Sequence, residues 1–512
     1  MEYLNTKYFK VGKATELFGS DRILYRFLEM VPGMLSWGTI LVIVLLSIFA
    51  PVWAARIIIL FDLYWFLKIV YLSTHNLYNW RRLKTNMKID WQKMVANLKH
   101  EDIFHLVILP YYDEDQGVIE PSLKSLTEAR YNPKKMIIVL AGEEAAGADA
   151  KRIGLALKAK YEEKFGFFLF TLHPSGVSGE MKGKGSNIAY ACEEARRIIV
   201  APNNIKYRSV IVSAFDVDTV VYPDYFLCLT WHFLTTPNPE KASYQPVPLY
   251  NNNIWQAPML SRVVAFSNTF WQMIQQERPE KLVTFSSHSM SLESLVEVNY
   301  WQKNIVSEDS RIFWNMYLAN DGNYKVVPIS YPVSMDANQA ETSLQTFKNI
   351  YKQQRRWMWG AENVPYLLMG FIKNKNIPFG KKLKMALVQL DGYWSAATNP
   401  LVILLLGWLP LILGGNFFRE TVLSYNLPLV TRNLMIVSMS GLVSLAVMTL
   451  SFLPPIPSEL KVSKLKRVSM VLQWVLVPFT IVIFGSLPAL EAQTRLLFGK
   501  YMGFWITPKH RK

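Results

Sequence analysis

The chain has 512 residues, 51% of them hydrophobic, and a formal net charge of +16. Its mean hydropathy of +0.12 is too apolar for an ordinary soluble domain, and its length leaves room for more than one domain. The Lys and Arg cluster beside apolar segments, which suits membrane flanks and speaks against a nucleic-acid partner, while the only two cysteines, Cys192 and Cys228, have no metal-ligand spacing, exclude a disulfide framework and suit a reducing compartment.

Residues 1–30, with Lys7, Lys10, Lys13, Arg22 and Arg26, read as a cytoplasmic N-terminal segment without the apolar centre of a cleavable signal. Residues 31–73 hold two apolar segments that meet at Pro51, each near the ~20 residues of a spanning helix. Arg56, Asp62 and Lys68 interrupt the second, which is expected to pack against protein or snorkel. Arg81, Arg82, Lys84 and Lys88 follow, so a hairpin with both ends in the cytoplasm satisfies the charge rule.

Residues 100–365 change character. Apolar runs at 104–109, 136–140, 167–172 and 210–215 predict strands, and 119–131, 149–165 and 187–199 predict helices. This alternation predicts an α/β domain, a mostly parallel sheet with helices on both faces. The fourth run ends in Asp216-Val-Asp218. Ligands of open α/β sheets bind outside the carboxyl ends of the strands, where two hard carboxylates suit Mg²⁺ or Mn²⁺ held together with substrate phosphates. An acidic turn has the same sequence.

Before that strand, Gly183-Lys184-Gly185 opens a helix and fits a phosphate cradle, with Lys182 adding charge. It matches neither a Walker loop nor Gly-x-Gly-x-x-Gly, and a mobile surface loop reads the same. Residues 240–300 show no clear period. His288, in a polar turn, could meet a ligand or be a satisfied structural group. Glu308 and Asp309 open a helix, where acids suit the dipole. Val326-Val-Pro328 predicts a short edge strand. Gln353, Arg356 and Trp357 share one face of a helix and offer an amide, a guanidinium and an indole; interfacial anchoring is the alternative.

Residues 366–490 return to membrane character, with apolar segments at 385–415, 434–453 and 468–490 and a basic loop of Lys461, Lys464, Lys466 and Arg467. Three crossings would put the C-terminus outside. A basic tail over 491–512 argues for a cytoplasmic end, which requires a re-entrant segment or an interfacial helix among the three.

Taken in order, a strand ending Pro110-Tyr-Tyr-Asp-Glu-Asp115, a Gly-Lys-Gly-Ser-Asn187 loop, Asp-x-Asp, Glu308-Asp309 and Gln353-x-x-Arg-Trp357 resemble the family 2 glycosyltransferases. Within them the likeness is to membrane-embedded polysaccharide synthases of the cellulose, hyaluronan and chitin synthase kind. The resemblance implies a GT-A nucleotide-sugar-binding domain between N- and C-terminal transmembrane helices, in a multi-pass plasma (inner) membrane protein with a cytoplasmic catalytic domain. It implies that Asp216 and Asp218 hold Mg²⁺ or Mn²⁺ on the diphosphate, with Asp309 as general base. Tyr111, Asp113 and Lys184 meet the nucleotide sugar, and Glu308, Gln353, Arg356 and Trp357 meet acceptor and diphosphate. Ser307 stands where the family's motif has Thr. The second strand usually ends in an aspartate that contacts the base; here Glu143 or Glu144 stands in, which puts nucleotide identity in doubt. The segment from Phe504 through Thr507 to Lys509 resembles the gating loop of cellulose synthases, at an unusual place. Trp301 and Trp314 are offered as stacking groups at the entrance of an exit path.

The implied activity is inverting transfer from a UDP-sugar rather than a GDP-sugar to a growing polysaccharide, with export and room for an accessory export subunit. Single transfer to a ceramide or polyprenyl-phosphate lipid acceptor is the rival. A transporter with a nucleotide-binding domain is a third reading, disfavoured because the apolar segments carry few polar groups for a substrate path.

Overall fold

The computed structural model describes residues 9–458 and 460–508. Lys509, assigned to the tail motif, lies outside the described residues.

The four apolar runs form β1 (Phe104–Pro110), β2 (Met136–Glu143), β3 (Phe167–His173) and β4 (Val210–Ala214). They are parallel in the order β3-β2-β1-β4, with Leu106 between Ile137 and Val212. β2 and β4 are buried throughout and β1 almost so, which is why these runs are continuously apolar rather than alternating. Successive side chains enter opposite cores. Leu106, Ile108, Ile137 and Val210 face one, and Val107, Leu109, Ile138 and Ile211 face the other.

The remaining half of the sheet is mixed. β5 (Val220–Val221), β6 (Ala242–Leu249), β7 (Ser289–Ser291) and β8 (Lys325–Ser334) continue it in the order β4-β7-β6-β8-β5. β7 is antiparallel to β4 and β6, and β8 runs parallel to β6 and antiparallel to β5. The short edge strand expected at 326–328 is therefore corrected: β8 has ten residues and partners on both sides. Its Pro328 and Pro332 flank the place where the register with β6 shifts, so the missing N–H groups fall at an irregularity.

The helix expected from 187 begins at Lys184, so Lys184 belongs to its first turn and not to the loop. The acids sit at the start of Glu308–Ala319, and Gln353, Arg356 and Trp357 on Ser343–Met358. Both cysteines are buried free thiols.

Helices Gly19–Phe49, Pro51–Asn86, Val422–Ser451 and Lys464–Leu497 are long and apolar enough to cross a membrane, and Phe379–Leu404 with Leu406–Leu413 forms a pair bent by 46°. The first, with 31 residues, extends about 46 Å at ~1.5 Å per residue, against a hydrocarbon thickness of about 30 Å. It is therefore longer than a bilayer core needs, and its N-terminal part packs elsewhere: Tyr25 and Leu28 join Phe9, Val11 and Leu17 in the β1 core. A mixed, mostly parallel sheet with helices on both faces, flanked by membrane-length helices, is the architecture the sequence implied.

Candidate active site

β4 hands over to a tight turn. Phe215 N–H still donates to Ile108 O at 3.1 Å, and Thr219 N–H closes back on Asp216 O at 2.9 Å. That turn puts Asp216 and Asp218 at the carboxyl end of the sheet. Asp218 is 2% exposed and its Oδ2 accepts the Asp336 N–H at 3.1 Å. Asp216 faces the cleft, where Lys184 Nζ donates to its Oδ1 at 2.7 Å. The same ammonium donates to both carboxylate oxygens of Asp309, at 3.1 and 2.9 Å. Burial alone would lower the Lys184 pKa, but Asp216 and Asp309 outweigh it and hold the group charged well above the usual lysine range. Glu308 turns inward beneath this turn: a Cβ on Gly185 would lie 3.0 Å from Glu308 Cβ. Burial first, then the Asp309 charge, push its carboxyl well above the usual range.

At the donor end the expected residues divide. Tyr111 is 3% exposed and its hydroxyl donates to Ala150 O at 2.6 Å, so it belongs to the core and does not open on the cleft. Its neighbour Tyr112 is half-buried, with Lys182 Nζ 4.3 Å from its ring centre. Asp113 is exposed beside it. Glu143 ends β2, buried, with its carboxyl pushed up to about 6 by burial. Glu144 points elsewhere and caps the next loop, accepting from Ser175 N–H at 2.9 Å and Oγ at 3.0 Å.

The facing side is the Ser343–Met358 helix. The Trp357 ring lies 6.2 Å from that of Tyr250, and both line a narrow cleft with Gln353, Asn338 and Asp336. Burial pushes the Tyr250 hydroxyl up, and the charges of Asp216, Asp218 and Asp309 add to this against Arg356. Tyr250 is thus the group that joins the carboxylate end of the site to the tryptophan. The tail lies over the same place. Arg356 sits 4.8 Å above the Phe504 ring, and a Cβ on Gly183 would meet Phe504 Cγ at 2.6 Å. Thr507 is buried nearby in sequence, with its Oγ1 unpartnered. Trp301 and Trp314, offered as entrance groups, are instead 0% and 1% exposed and fill the core.

Two further groups flank the acidic turn: Glu362, which has no sequence signature, and His288, which the polar turn at 285–290 offered. Glu362, five residues past Trp357, accepts from Val306 N–H at 3.1 Å, Ser307 N–H at 2.8 Å and Ser307 Oγ at 2.7 Å. His288 Nδ1 lies 3.8 Å from Asp309 Oδ1. By donor chemistry Asp216 and Asp218 suit a hard divalent cation, being two carboxylates separated by one residue at one strand end; Asp218 is buried and Lys184 occupies Asp216 Oδ1. Among the described residues no group of three or more His, Cys, Asp or Glu is arranged for a metal, so such an ion would take its remaining ligands from diphosphate and water.

The glycosyl transferase family group 2 model matches residues 211–487, more than half of the chain. The chain belongs to this glycosyltransferase family, and its match begins inside β4, one strand before the Asp-x-Asp turn. Among solved structures it is similar to a mannosyltransferase from Pyrobaculum calidifontis in complex with GDP-Man and Mn²⁺, at 14% identity over 75% of this chain and 99% of that one, with a TM-score of 0.40. It is also similar to S. aureus TarS 1-349 in complex with UDP-GlcNAc, at 11% identity over 74% of this chain and 91% of the other, with a TM-score of 0.36. No curated protein matches the chain.

Proposed function

We propose that the protein is an inverting, metal-dependent polysaccharide synthase. It moves a sugar from a nucleotide diphosphate sugar, a UDP-sugar before a GDP-sugar, to a growing chain at the cytoplasmic face of the plasma (inner) membrane. The observation that carries the reading is Lys184, whose one ammonium joins Asp216 of the Asp-x-Asp turn to Asp309.

Asp309 takes the proton of an acceptor hydroxyl lined up behind the anomeric carbon, and in-line attack inverts that centre. Trp357 and Tyr250 offer ring faces to the acceptor sugar, and Gln353 an amide to its hydroxyls. Lys184 and Arg356 meet the diphosphate as it leaves. Asp216 and Asp218 would hold Mg²⁺ or Mn²⁺, which supplies Lewis-acid neutralisation of that charge. Phe504 and Thr507 cover the donor and exclude water. The membrane helices carry the polymer out, with or without an accessory subunit.

The test uses full-length protein in nanodiscs with a panel of UDP- and GDP-sugars. Nucleotide diphosphate release is followed, and the product is sized. Asp309→Asn should lower kcat by about 10²–10⁴-fold with donor KM little changed. High-molecular-weight product supports the synthase; a single sugar on extracted lipid moves the reading to a lipid acceptor. Full activity in chelator overturns the metal assignment.

A further inference from the structure

His288 is 0% exposed and sits in the loop before β7. That loop is sewn to the strand of Asp216: Ser287 N–H donates to Ala214 O at 3.2 Å, and Ala214 N–H to His288 O at 3.0 Å. Both ring nitrogens are committed. The Trp301 indole N–H donates to Nε2 at 3.1 Å, and Nδ1 is 2.7 Å from Phe285 O. An indole N–H only donates and a carbonyl oxygen only accepts. Nε2 therefore carries the lone pair and Nδ1 the proton.

The ring is held neutral. Burial lowers its pKa below the usual histidine range; Asp309 and Asp216 pull the other way and Lys184 adds to the lowering. Its lone pair is turned to Trp301, so His288 cannot itself serve as the base. Its N–H lies 3.8 Å from Asp309 Oδ1, beyond hydrogen-bond range but close enough to act once the carboxylate shifts by about 1 Å. Asp309 is at present gripped by Lys184 through both oxygens. A diphosphate arriving at Lys184 competes for that ammonium, and the carboxylate then needs another donor on its inner side.

We propose that Phe285 O and the Trp301 indole together lock His288 as the neutral Nδ1–H tautomer and that His288 is thereby a positioning residue. Its one Nδ1 proton, donated to Phe285 O at rest, is then shared with Asp309 Oδ1 in a three-centre bond, which leaves Oδ2 aimed at the acceptor hydroxyl when the donor diphosphate engages Lys184. This role rests on the reading of Asp309 as the base. The lock itself does not, since it is a property of the resting protein.

Two measurements separate them. In full-length protein labelled with ¹⁵N-histidine, His288→Asn identifies the His288 signals by difference. The expected pattern is a protonated Nδ1 and a hydrogen-bonded, unprotonated Nε2, unchanged through the neutral pH range; Trp301→Phe should keep the Nδ1 proton, which Phe285 O still accepts, but lose the Nε2 hydrogen-bond signature and let Nε2 take up a proton as pH falls. A resting Nε2–H tautomer or an imidazolium overturns the lock. In the turnover assay His288→Ala should lower kcat on the order of 10-fold to 100-fold with donor KM held. His288→Asn, whose amide N–H stands where Nδ1–H stood, should recover most of it, and His288→Gln, which reaches the Nε2 position, should not. Equal loss in all three variants, or a rise in KM in place of the fall in kcat, overturns the steering role. Full turnover in Asp309→Asn removes the base reading and the steering role together, while the tautomer pattern still reports the lock.

Discussion

If Glu143 contacts the donor as proposed from the family's pattern, one buried side chain makes both donor binding and stability depend on pH. Burial lifts its carboxyl from the usual 4.5 to about 6; Lys182 opposes this and Glu114 adds to it. At neutral pH the group is ionised and can accept an N–H from a nucleobase. Below about pH 6 it is protonated and loses that charge. Donor KM should therefore rise as pH falls through about 6, and the rise should vanish in Glu143→Gln. Stability moves the other way. Between 4.5 and 6 the folded chain binds the proton more tightly than the unfolded chain, so folding stability falls as pH rises across that window. At neutral pH Glu143→Gln should be more stable than the parent by about 1–2 kcal/mol, read as a raised melting temperature. A variant with unchanged melting and an unchanged pH profile of KM would place Glu143 outside the donor site.

The first turn of Glu308–Ala319 hangs on another element. Ser307 is its N-cap residue but makes no side-chain cap bond; its Oγ donates to Glu362 instead. Glu362 also receives Val306 N–H, Ser307 N–H and the Trp359 indole N–H. One carboxylate thus ties the turn of Asp309 to the chain just after Trp357. Removing it leaves these donors buried without a partner, at about 1–3 kcal/mol each before relaxation. Glu362→Ala should lower melting by several degrees and kcat by about 10-fold or more, while Glu362→Gln, which keeps an accepting oxygen, should stay near the parent. A Glu362→Ala protein with normal kcat would make the contact a matter of folding only. Such partners are invisible in sequence because Glu362 and Ser307 are 55 positions apart. What was legible follows local periods. β1, β2 and β4 read correctly because both their faces are buried, and the edge strand β3 because its run 167–172 is apolar although mostly half-buried. β6 did not, since it holds Pro246 and Pro248. Helix Met259–Gln276 hid too, because its buried face carries Ser261, Arg262, Thr269 and Gln272. Tyr111 was within reach: it continues the alternation Val107, Leu109, Tyr111 into one core.

Across the whole molecule the glycosyltransferase domain is not separable from the first membrane-length helix. Phe9, Val11, Leu17, Tyr25 and Leu28 are buried in the same core as Leu106, Ile108, Val210 and Trp314. The fully buried Arg311, on the helix of Asp309, donates to Val11 O at 3.0 Å and to Gln302 Oε1 at 3.1 Å. The same membrane-length helix holds the tail: Tyr501 donates to Glu29 Oε2 at 2.8 Å, and Arg26 to Leu496 O at 2.8 Å. Sequence character alone set the domain start near residue 100, because the change from apolar to α/β patterning falls there. The core begins instead with residues 9–28. Losing five such side chains costs about 1.5–3 kcal/mol each, together comparable to the 5–15 kcal/mol that holds a typical domain folded. The segment 100–365 expressed alone should therefore aggregate or show no cooperative melt, whereas the full chain in nanodiscs should melt cooperatively. Near-ultraviolet circular dichroism and size-exclusion chromatography on both decide it. A monodisperse 100–365 segment with a sharp transition would mean that the N-terminal residues decorate a core that closes without them, and that the membrane-length helix positions the tail but does not hold the sheet.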